Sequence, residues 1–506
     1  MTTPSSAQVL VVGAGPAGAV LALELAHHNV PCLVVERAVA PPRHLGADRL
    51  TGHAMGLLRR LGLAAVVQRH AEAPEPEDVE WRIGLDDDPV LVSSPDATSG
   101  GGPDHRVPAA DLARRLRDEL RRSPLVDLRE GWTFTGLRVE PDGAVATVLD
   151  VHAGVRHTIA ARHLVGCDGA QSTVRRCVEV PMESLGSPAR HCSVFFRSAD
   201  PRLPAKHGNP VVVVVGGTTS LSRGDGDSWV AHLPVGADEP VTTDPVAMLR
   251  SRLGSGLEVA EILGVAQWDD ALAVAAAYRR GPVFLAGEAA HRFHPAGELA
   301  DTSLADAVDL GWKLAAEING WGGPALLASY EAERRPVALL DRELLARSLE
   351  TRRRFSRLSA AGAAPELLAG LLRQEAHRPD ARALPARHAT SAVVWHSGAN
   401  GLSGTIRPGG RAPDLRLDGG DTLAERFGPQ LTLVDLTGEA AGAPLAAAAN
   451  GRGVPVVHLP VADASVRTGW DRPLALVRPD GHVAWCADTV PADWDAVLDL
   501  VSGKTT

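Results

Sequence analysis

Three glycines and one acid near the start of the chain have the spacing of a nucleotide-binding site. Gly13, Gly15 and Gly18 follow a short apolar run in G-x-G-x-x-G order, and Glu36 ends the next apolar run. In such a unit the first glycine permits a tight turn, the second lets backbone approach a pyrophosphate, and the third lets helix and strand pack closely. An acid about twenty residues further on suits a ribose hydroxyl pair. The stretch therefore predicts a βαβ unit that binds a dinucleotide.

Two later turns combine glycine with an acid. Asp168 stands between Gly166 and Gly169 after a short apolar run, and Glu288 follows Gly287 after another. Each turn alone is weak support, because Asp-Gly is a common turn sequence. Their order behind the G-x-G-x-x-G segment strengthens the prediction of a nucleotide site.

Length and composition limit the architecture and the functions. A chain of 506 residues is expected to form about two to four domains. The net charge of −10 gives no basic footprint for nucleic acid or an anionic membrane. Five scattered cysteines without a C-x-x-C pair favour reduced thiols. Neither a signal peptide nor an apolar run of membrane-spanning length is read from the sequence, so a cytoplasmic protein is expected.

The order of the elements divides the chain into four segments and predicts an α/β fold. Residues 1–177 form the first part of a Rossmann-like domain, and 178–280 an α+β substrate domain. Residues 281–400 return to the first domain through linking helices, and 401–506 form a small α/β domain. The polar stretch 73–103 is expected to be an exposed excursion with two short candidate strands.

Apolar periodicity and turn residues predict individual elements. Helices are predicted over 54–60, 109–122, 245–253 and 303–349, and C-terminal strands over 431–434, 454–458 and 474–477. The arginine-rich run 347–358 is predicted to be a solvated helix face.

The ordered motifs resemble those of FAD-dependent monooxygenases of the p-hydroxybenzoate hydroxylase type. They are most similar to the larger bacterial members that hydroxylate aromatic polyketides. The matching segments are GAGPAG…ER, GCDGAQSTVR, AGEAAHRFHP, DAVDLGWKLA and SYEAERRPV, which span most of residues 8–340. The segment LALVRPDGHVAW, at 474–485, resembles the thioredoxin-like C-terminal domain of that subgroup, but the absence of C-x-x-C argues against a redox role.

The resemblance implies bound FAD, with NAD(P)H as the reductant. At the adenine end, Gly13, Gly15 and Gly18 would line the pyrophosphate. Glu36 would bind the adenosine ribose, and Arg37 would lie beside the adenine.

At the flavin end the resemblance implies three further contacts and exposes several departures. Asp168 would lie near the approach of NAD(P)H, Glu288 near the ribityl chain and pyrophosphate, and Pro295 beside the flavin ring. Glu288 replaces the Asp of the family. His53 replaces a family Arg, and Ala109 replaces a Gln in a looser alignment.

The loop after Pro295 departs most from the family pattern. A glycine-rich run is usual there, whereas residues 296–304 read AGELADTSL. Glu298 and Asp301 are expected to add negative charge near a ring that becomes negative on reduction. His291 and His294 flank this loop and are expected to be structural histidines. Flavin binding is either retained despite these changes or weakened by them.

The resemblance implies hydride transfer to FAD, formation of a flavin C4a-hydroperoxide, and transfer of one oxygen atom to a bulky aromatic or polyketide-type substrate. No catalytic base can be named, and no metal-ligand spacing is seen. The substrate is expected between the flavin and the strands over 190–235. Phe195, Phe196 and Trp229 are candidate wall residues, but aromatics in alternating strands are more often part of the core.

Two other functions stay open. The altered loop also suits a non-redox cyclase or isomerase with altered or lost flavin binding, or a protein that binds a ligand without turnover. The sequence does not fix the substrate, the position oxidised, the choice between NADH and NADPH, or the oligomeric state, for which a homodimer is one candidate.

Overall fold

The computed structural model describes residues 6–41, 47–68, 79–93, 105–201, 203, 212–224, 227–236, 239, 244–293, 299–376, 388, 390–396 and 405–504. In chain order the strands are β1 (Ser6–Val12), β2 (Cys32–Glu36), β3 (Ala47–Leu50), β4 (Val79–Arg82), β5 (Leu91–Ser93), β6 (His105–Pro108), β7 (Val126–Glu130), β8 (Trp132–Glu140), β9 (Gly143–Asp150), β10 (Val155–Gly166), β11 (Met182–Ser184), β12 (Arg190–Arg197), β13 (Val212–Val215), β14 (Thr219–Arg223), β15 (Ser228–Val235), β16 (Glu261–Asp269), β17 (Ala273–Ala275), β18 (Arg279–Arg280), β19 (Val283–Leu285), β20 (His291–Arg292), β21 (Leu431–Asp435), β22 (Val456–Pro460), β23 (Leu474–Val477) and β24 (Val483–Ala487).

The α-helices, in the same order, are α1 (Pro16–His27), α2 (Gly52–Arg60), α3 (Ala64–Gln68), α4 (Ala109–Arg122), α5 (Thr173–Cys177), α6 (Pro245–Leu253), α7 (Leu299–Ile318), α8 (Pro324–Ala360), α9 (Pro365–Ala376), α10 (Ala443–Gly451), α11 (Ala464–Gly469) and α12 (Trp494–Val501). The helices predicted over 54–60, 109–122 and 245–253 are confirmed as α2, α4 and α6.

The first sheet contains the predicted nucleotide-binding unit. Its strand order is β18-β19-β10-β1-β2-β7, and β1, β2, β7, β10 and β19 run parallel. Residues 9–12 are fully buried, as expected for a parallel strand covered on both faces. Helix α1 packs against α4 and α7. The Rossmann-like unit is therefore confirmed, and β19 from the third segment completes its sheet.

The second sheet has the order β16-β12-β15-β14-β13-β4-β5. The two candidate strands in the 73–103 excursion are confirmed as β4 and β5, and β4 pairs in parallel with β13. One face of this sheet forms an apolar core with α6, in which Phe196 and Trp229 pack near Leu249. Of the two roles considered for these aromatics, Phe196 and Trp229 therefore have the core role and do not line a substrate cavity, because side chains alternate between faces along a strand. Phe195 lies on the opposite face.

The helical region predicted over 303–349 is two helices, α7 and α8, separated at residues 319–323. The arginine-rich run lies in the last turns of α8, and its prediction as a wholly solvated face is partly wrong. Arg353 and Arg354 are exposed, but Phe355 is buried, and the Arg352 guanidinium carbon lies 5.7 Å from the centre of the Trp81 ring.

The C-terminal domain has a four-stranded sheet with the order β22-β21-β23-β24. The three strands predicted from the sequence are confirmed as β21, β22 and β23. Its core is shared with the long helices, since Trp485 and Trp494 belong to one apolar cluster with Trp312 and Leu326. Its likeness to thioredoxin stays a prediction. Among the described residues, no helix combines the length and apolar composition needed to cross a bilayer.

Candidate flavin and substrate site

The three glycine-containing segments meet at one edge of the first sheet. Each directly follows a parallel strand, and backbone hydrogen bonds join neighbouring segments. Cys167 N donates to Val12 O at 2.8 Å, and Ala286 N donates to Gly166 O at 3.0 Å. In open α/β sheets, ligands bind outside the carboxyl ends of the strands. The segments predicted to share one site are thus brought together.

The three glycines of the first motif are required for different reasons. Gly13 has a φ of +103°, and a Cβ there would lie 2.4 Å from the Cys167 carbonyl oxygen. A Cβ on Gly18 would lie 2.0 Å from the Gly13 carbonyl oxygen. By contrast, among the described residues other than its two chain neighbours, no heavy atom lies within 4 Å of a Cβ built on Gly15. Gly13 and Gly18 are needed for packing, whereas Gly15 keeps open space beside the loop.

The Glu36 carboxylate is buried and held against the glycine loop. One oxygen accepts a hydrogen bond from Ala14 N and the other from Ala38 N, both at 2.8 Å. Each carboxylate oxygen has a second lone pair, so that Glu36 can still accept from a ligand hydroxyl. Arg37, the next residue, is exposed.

Arg117 is a buried residue of this site that sequence reasoning missed. Its Nη2 lies 3.5 Å from Glu36, and its Nη1 lies 3.4 Å from Glu130. The sequence held a signal for it: Arg117 follows Ala113 by four residues and precedes Leu120 by three, so it shares the buried face of α4. A charged residue at such a position indicates a buried partner.

The two later acids lie close together at the sheet edge. Asp168 Oδ2 accepts from Thr173 N at 2.6 Å and Val174 N at 3.1 Å, and so caps α5. Its Oδ1 is buried without a hydrogen-bond partner among the described residues. Glu288 is exposed, and its Oε2 lies 3.8 Å from a Cβ built on Gly169. The pair leaves one buried and one exposed carboxylate group available to a ligand.

A buried network positions the Glu288 turn. Asp306 accepts hydrogen bonds from Gly287 N at 3.2 Å and from Arg334 Nε at 2.7 Å, and it lies 3.1 Å from His291 Nε2. Burial alone would raise the pKa of Asp306, but Arg334 and His291 outweigh it and lower that pKa. His291 is fully buried, as expected of a structural histidine.

The structure describes only some of the residues that depart from the family pattern. Pro295, His294 and Glu298 lie outside the described residues. Asp301 accepts from Thr51 N at 3.2 Å and from the Thr51 hydroxyl, so its charge is engaged at the start of α2. Ala109 is the first residue of α4.

His53 is half-buried beside a cavity of about 10 Å³, which has room for one water molecule. Burial, Arg411 and His482 hold the pKa of His53 well below its usual value. His53, which the family resemblance aligns with an Arg, therefore carries a neutral imidazole.

The second sheet has a face opposite the α6 core, which we call its open face, although α8 and α9 pack against it beside Trp81. This face carries a hydrogen-bonded chain that the sequence did not reveal. Trp268 Nε1 donates to Ser193 Oγ at 2.7 Å, and Ser193 Oγ lies 2.7 Å from His232 Nδ1. Trp268 precedes Asp269, which forms a 2.7 Å ion pair with Arg292 of β20. The end of β16 that carries Trp268 thus lies near β20, the strand that precedes residues 294–298.

A second polar cluster joins the C-terminal domain to α7 and α8. His388, Asp480 and His482 have ligand atoms within 4.8 Å of one another, as in a metal site. However, Asp480 accepts from Arg478 Nε at 3.2 Å, and the Lys313 ammonium belongs to the same buried group. Arg478 and Lys313 face three carboxyl groups, those of Asp309, Glu333 and Asp480. Burial raises the pKa of Asp309 well above its usual value, so two cations balance two ionised carboxylates. We therefore interpret the cluster as an ion-pair network.

Comparison with known proteins identifies the family. Residues 6–340 match the FAD binding domain family, and residues 405–504 match the aromatic-ring hydroxylase C-terminal family. The chain belongs to the FAD-dependent aromatic-ring hydroxylases. This membership confirms the predicted family, the α/β class with an FAD-binding domain, and the enzyme class, a flavin-dependent monooxygenase.

Several hydroxylases of this family align along nearly the whole chain. The chain is 30% identical to tetracenomycin A2 monooxygenase-dioxygenase of Streptomyces glaucescens, covering 96% of this chain and 94% of that protein. It is 28% identical to a rifampicin monooxygenase of Rhodococcus hoagii, covering 98% of each. Among solved structures, RebC with bound 7-carboxy-K252c is 29% identical, with a TM-score of 0.86 over 99% of this chain and 100% of that one.

Proposed function

We propose that this hydroxylase uses FAD and NAD(P)H to hydroxylate a bulky aromatic or polyketide-type substrate. The observation that carries the proposal is the meeting of three motif segments at one sheet edge, where Gly15 leaves open space and Asp168 Oδ1 lacks a partner among the described residues. The names of the relatives support the substrate class, because they act on tetracenomycin A2 and rifampicin.

The residues at the sheet edge fit an FAD molecule. The open side of Gly15 and the N-terminus of α1 would hold the pyrophosphate, since helix N-terminal N–H groups bind phosphate. Glu36 would accept from the ribose, and Asp168 Oδ1 from a cofactor hydroxyl. Glu288, one methylene longer than the family Asp, would reach the ribityl chain from its exposed position. RebC, which shares this fold, has also been solved with reduced flavin.

FAD, when bound and reduced by NAD(P)H, would supply activated oxygen to the substrate. The chain's own part is to bind, orient and exclude water. The Asp306 network would fix the Glu288 turn, and the open face of the second sheet would cover the substrate. Since the cofactor carries the chemistry, no nucleophile or metal of the protein is required.

One observation favours a second candidate function. The neutral His53 replaces a family cation, and this loss would weaken the hold on a negatively charged cofactor. A non-redox cyclase or isomerase on the same scaffold would then use the substrate cavity without flavin reduction.

The visible spectrum of purified protein incubated with FAD separates these functions. We expect a bound yellow flavin that NADPH bleaches and air restores, with oxygen uptake stimulated by a polyketide or phenol. Yellow protein that NADPH does not bleach would favour the cyclase. Colourless protein that takes up no FAD would contradict the monooxygenase proposal.

A further inference from the structure

We propose that Arg352 and His232 form an anion-binding subsite on the open face of the second sheet, which takes an ionised oxygen of the aromatic substrate. The ionised oxygen is a ring carboxylate or a phenolate. The inference rests on the proposed function, because it names a feature of the substrate that the hydroxylase would bind.

Arg352 differs from its neighbours in the arginine-rich run. Arg353 lies 3.5 Å from Asp270, and Arg357 pairs with Glu350 at 2.8 Å. Among the described residues, no carboxylate pairs with Arg352. Its guanidinium lies over the Trp81 ring, and burial lowers its pKa. A partly desolvated cation beside an aromatic ring suits a planar anionic ligand.

The hydrogen-bonded chain assigns which ring nitrogen of His232 donates. The Trp268 indole N–H can only donate, so Ser193 Oγ accepts that bond. Among the described residues, the acceptor available to the Ser193 hydroxyl hydrogen is His232 Nδ1, at 2.7 Å. The neutral imidazole therefore carries its proton on Nε2, where it is free to donate to a ligand.

The charge state of His232 agrees with this assignment. Burial, Arg352 and His191 lower the pKa of His232 to about 4, so the ring is neutral near pH 7. Strand register places both side chains over the same face of the second sheet. Arg352 lies over Trp81, and Trp81 lies in one row across β4, β13, β14 and β15 with Val214, Ser220 and His232. Together they offer hydrogen-bond donors and one positive charge, and no acceptor. That combination favours an anion over a neutral carbonyl or hydroxyl group.

The subsite lies where a substrate would meet the cofactor. Trp268, the start of the hydrogen-bonded chain, precedes Asp269, whose carboxylate pairs with Arg292. Arg292 is the last residue of β20 and shortly precedes Pro295 in the chain. The family resemblance places Pro295 beside the flavin ring. A substrate anchored at Arg352 would therefore extend along this face toward the end of β16, beside the predicted flavin position.

Equilibrium binding of anthraquinone probes to the FAD-treated protein, without NAD(P)H, tests the proposal. Anthraquinone-2-carboxylate is compared with its carboxamide, and alizarin as the phenolate with its dimethyl ether, by quenching of tryptophan fluorescence. We expect the wild-type protein to bind at least one anion about tenfold more tightly than its neutral partner. The ratio of affinities for anthraquinone-2-carboxylate and its carboxamide, compared with the ratio for alizarin and its dimethyl ether, shows whether a carboxylate or a phenolate is preferred.

Arg352→Gln should abolish this preference while leaving the affinity for the neutral probes unchanged. The matched control is Arg354→Gln, an exposed position in the same turn of α8, which should keep the preference. Equal affinity of the wild-type protein for anionic and neutral probes, binding of neither, or equal effects of the two variants would overturn the proposal. This binding assay contains no reductant, so its outcome does not depend on whether the protein can reduce FAD. Failure of FAD reduction, measured separately, would contradict the proposed function but not the anion subsite.

Discussion

Arg478 of the C-terminal domain donates to both oxygens of Glu333 in α8, at 2.7 and 2.6 Å, and neither side chain is exposed. Burial alone would raise the pKa of Glu333, but Arg478 and Lys313 lower it well below its usual value. The carboxylate is therefore ionised in a buried place. This ion pair joins the C-terminal domain to the helix that also carries Arg334, the partner of Asp306.

Arg478→Met should strongly destabilise the protein, because it leaves Glu333 and Asp480 charged without their buried partner. We expect a loss of about 3–5 kcal/mol in the free energy of unfolding, measured in urea. The control is Arg472→Met in the same domain, which breaks the 2.6 Å pair with Asp488. Since the Asp488 carboxylate is exposed, this pair should contribute less than about 1 kcal/mol. Similar losses in the two variants would contradict the interpretation.

Stability should fall as the solution is acidified from neutral pH. Burial lowers the pKa of His53, His388 and His482, so these rings stay neutral in the folded protein at a pH where the unfolded chain binds protons. Protonation of each of these histidines in the unfolded chain lowers the free energy of unfolding by up to about 1.4 kcal/mol per pH unit below about pH 6.5.

His388→Gln should reduce this slope, as measured by urea unfolding between about pH 6.5 and pH 5. The control is His396→Gln at an exposed position. An unchanged slope in His388→Gln would contradict a neutral buried histidine there. A separate loss at lower pH should follow when Glu333 and Asp480, whose pKa values lie well below the usual range, take up protons.

The glycines of the first motif should respond differently to alanine. Gly18→Ala should destabilise the apoprotein, because the new Cβ would lie 2.0 Å from a carbonyl oxygen. Gly15→Ala should leave the melting temperature of the apoprotein unchanged but weaken FAD binding about tenfold or more, since the Cβ enters the space that we propose for the pyrophosphate. If Gly15→Ala retained full FAD affinity, the cofactor would not pass beside this loop.

Glu36→Gln should weaken FAD binding, because an amide can no longer accept from both Ala14 N and Ala38 N and also from the ribose. Titration of the apoprotein with FAD measures the effect, expected to be about tenfold. Glu130→Gln is the control, since Glu130 also contacts Arg117 but lies outside the glycine loop. Equal losses would show that Arg117, and not the ribose contact, explains the effect.

The parts of the site that depend on local order could be predicted from the sequence. Gly13, Gly15, Gly18 and Glu36 lie within one βαβ unit, and the strand order brings the later turns to the same edge. The Ser193 chain could not be predicted, because its contacts join residues 39 and 75 positions apart through strand register.

Two of the three candidate wall residues, Phe196 and Trp229, lie in the core for a related reason. Phe195 and Phe196 are adjacent in the sequence, and only the register of β12 decides which of them lies in the core. The arginine-rich run misled in the same way, since the packing of α8 against the second sheet turns Arg352 inward and leaves Arg354 exposed.

The central claim is that this sheet edge binds an FAD that NAD(P)H reduces and oxygen reoxidises. Anaerobic titration of the FAD-reconstituted protein with NADPH, followed by admission of air, tests it most directly. We expect stoichiometric loss of the yellow flavin absorbance and its full return with oxygen. Protein that retains no flavin after gel filtration, or whose bound flavin stays oxidised with either NADPH or NADH, would contradict the account.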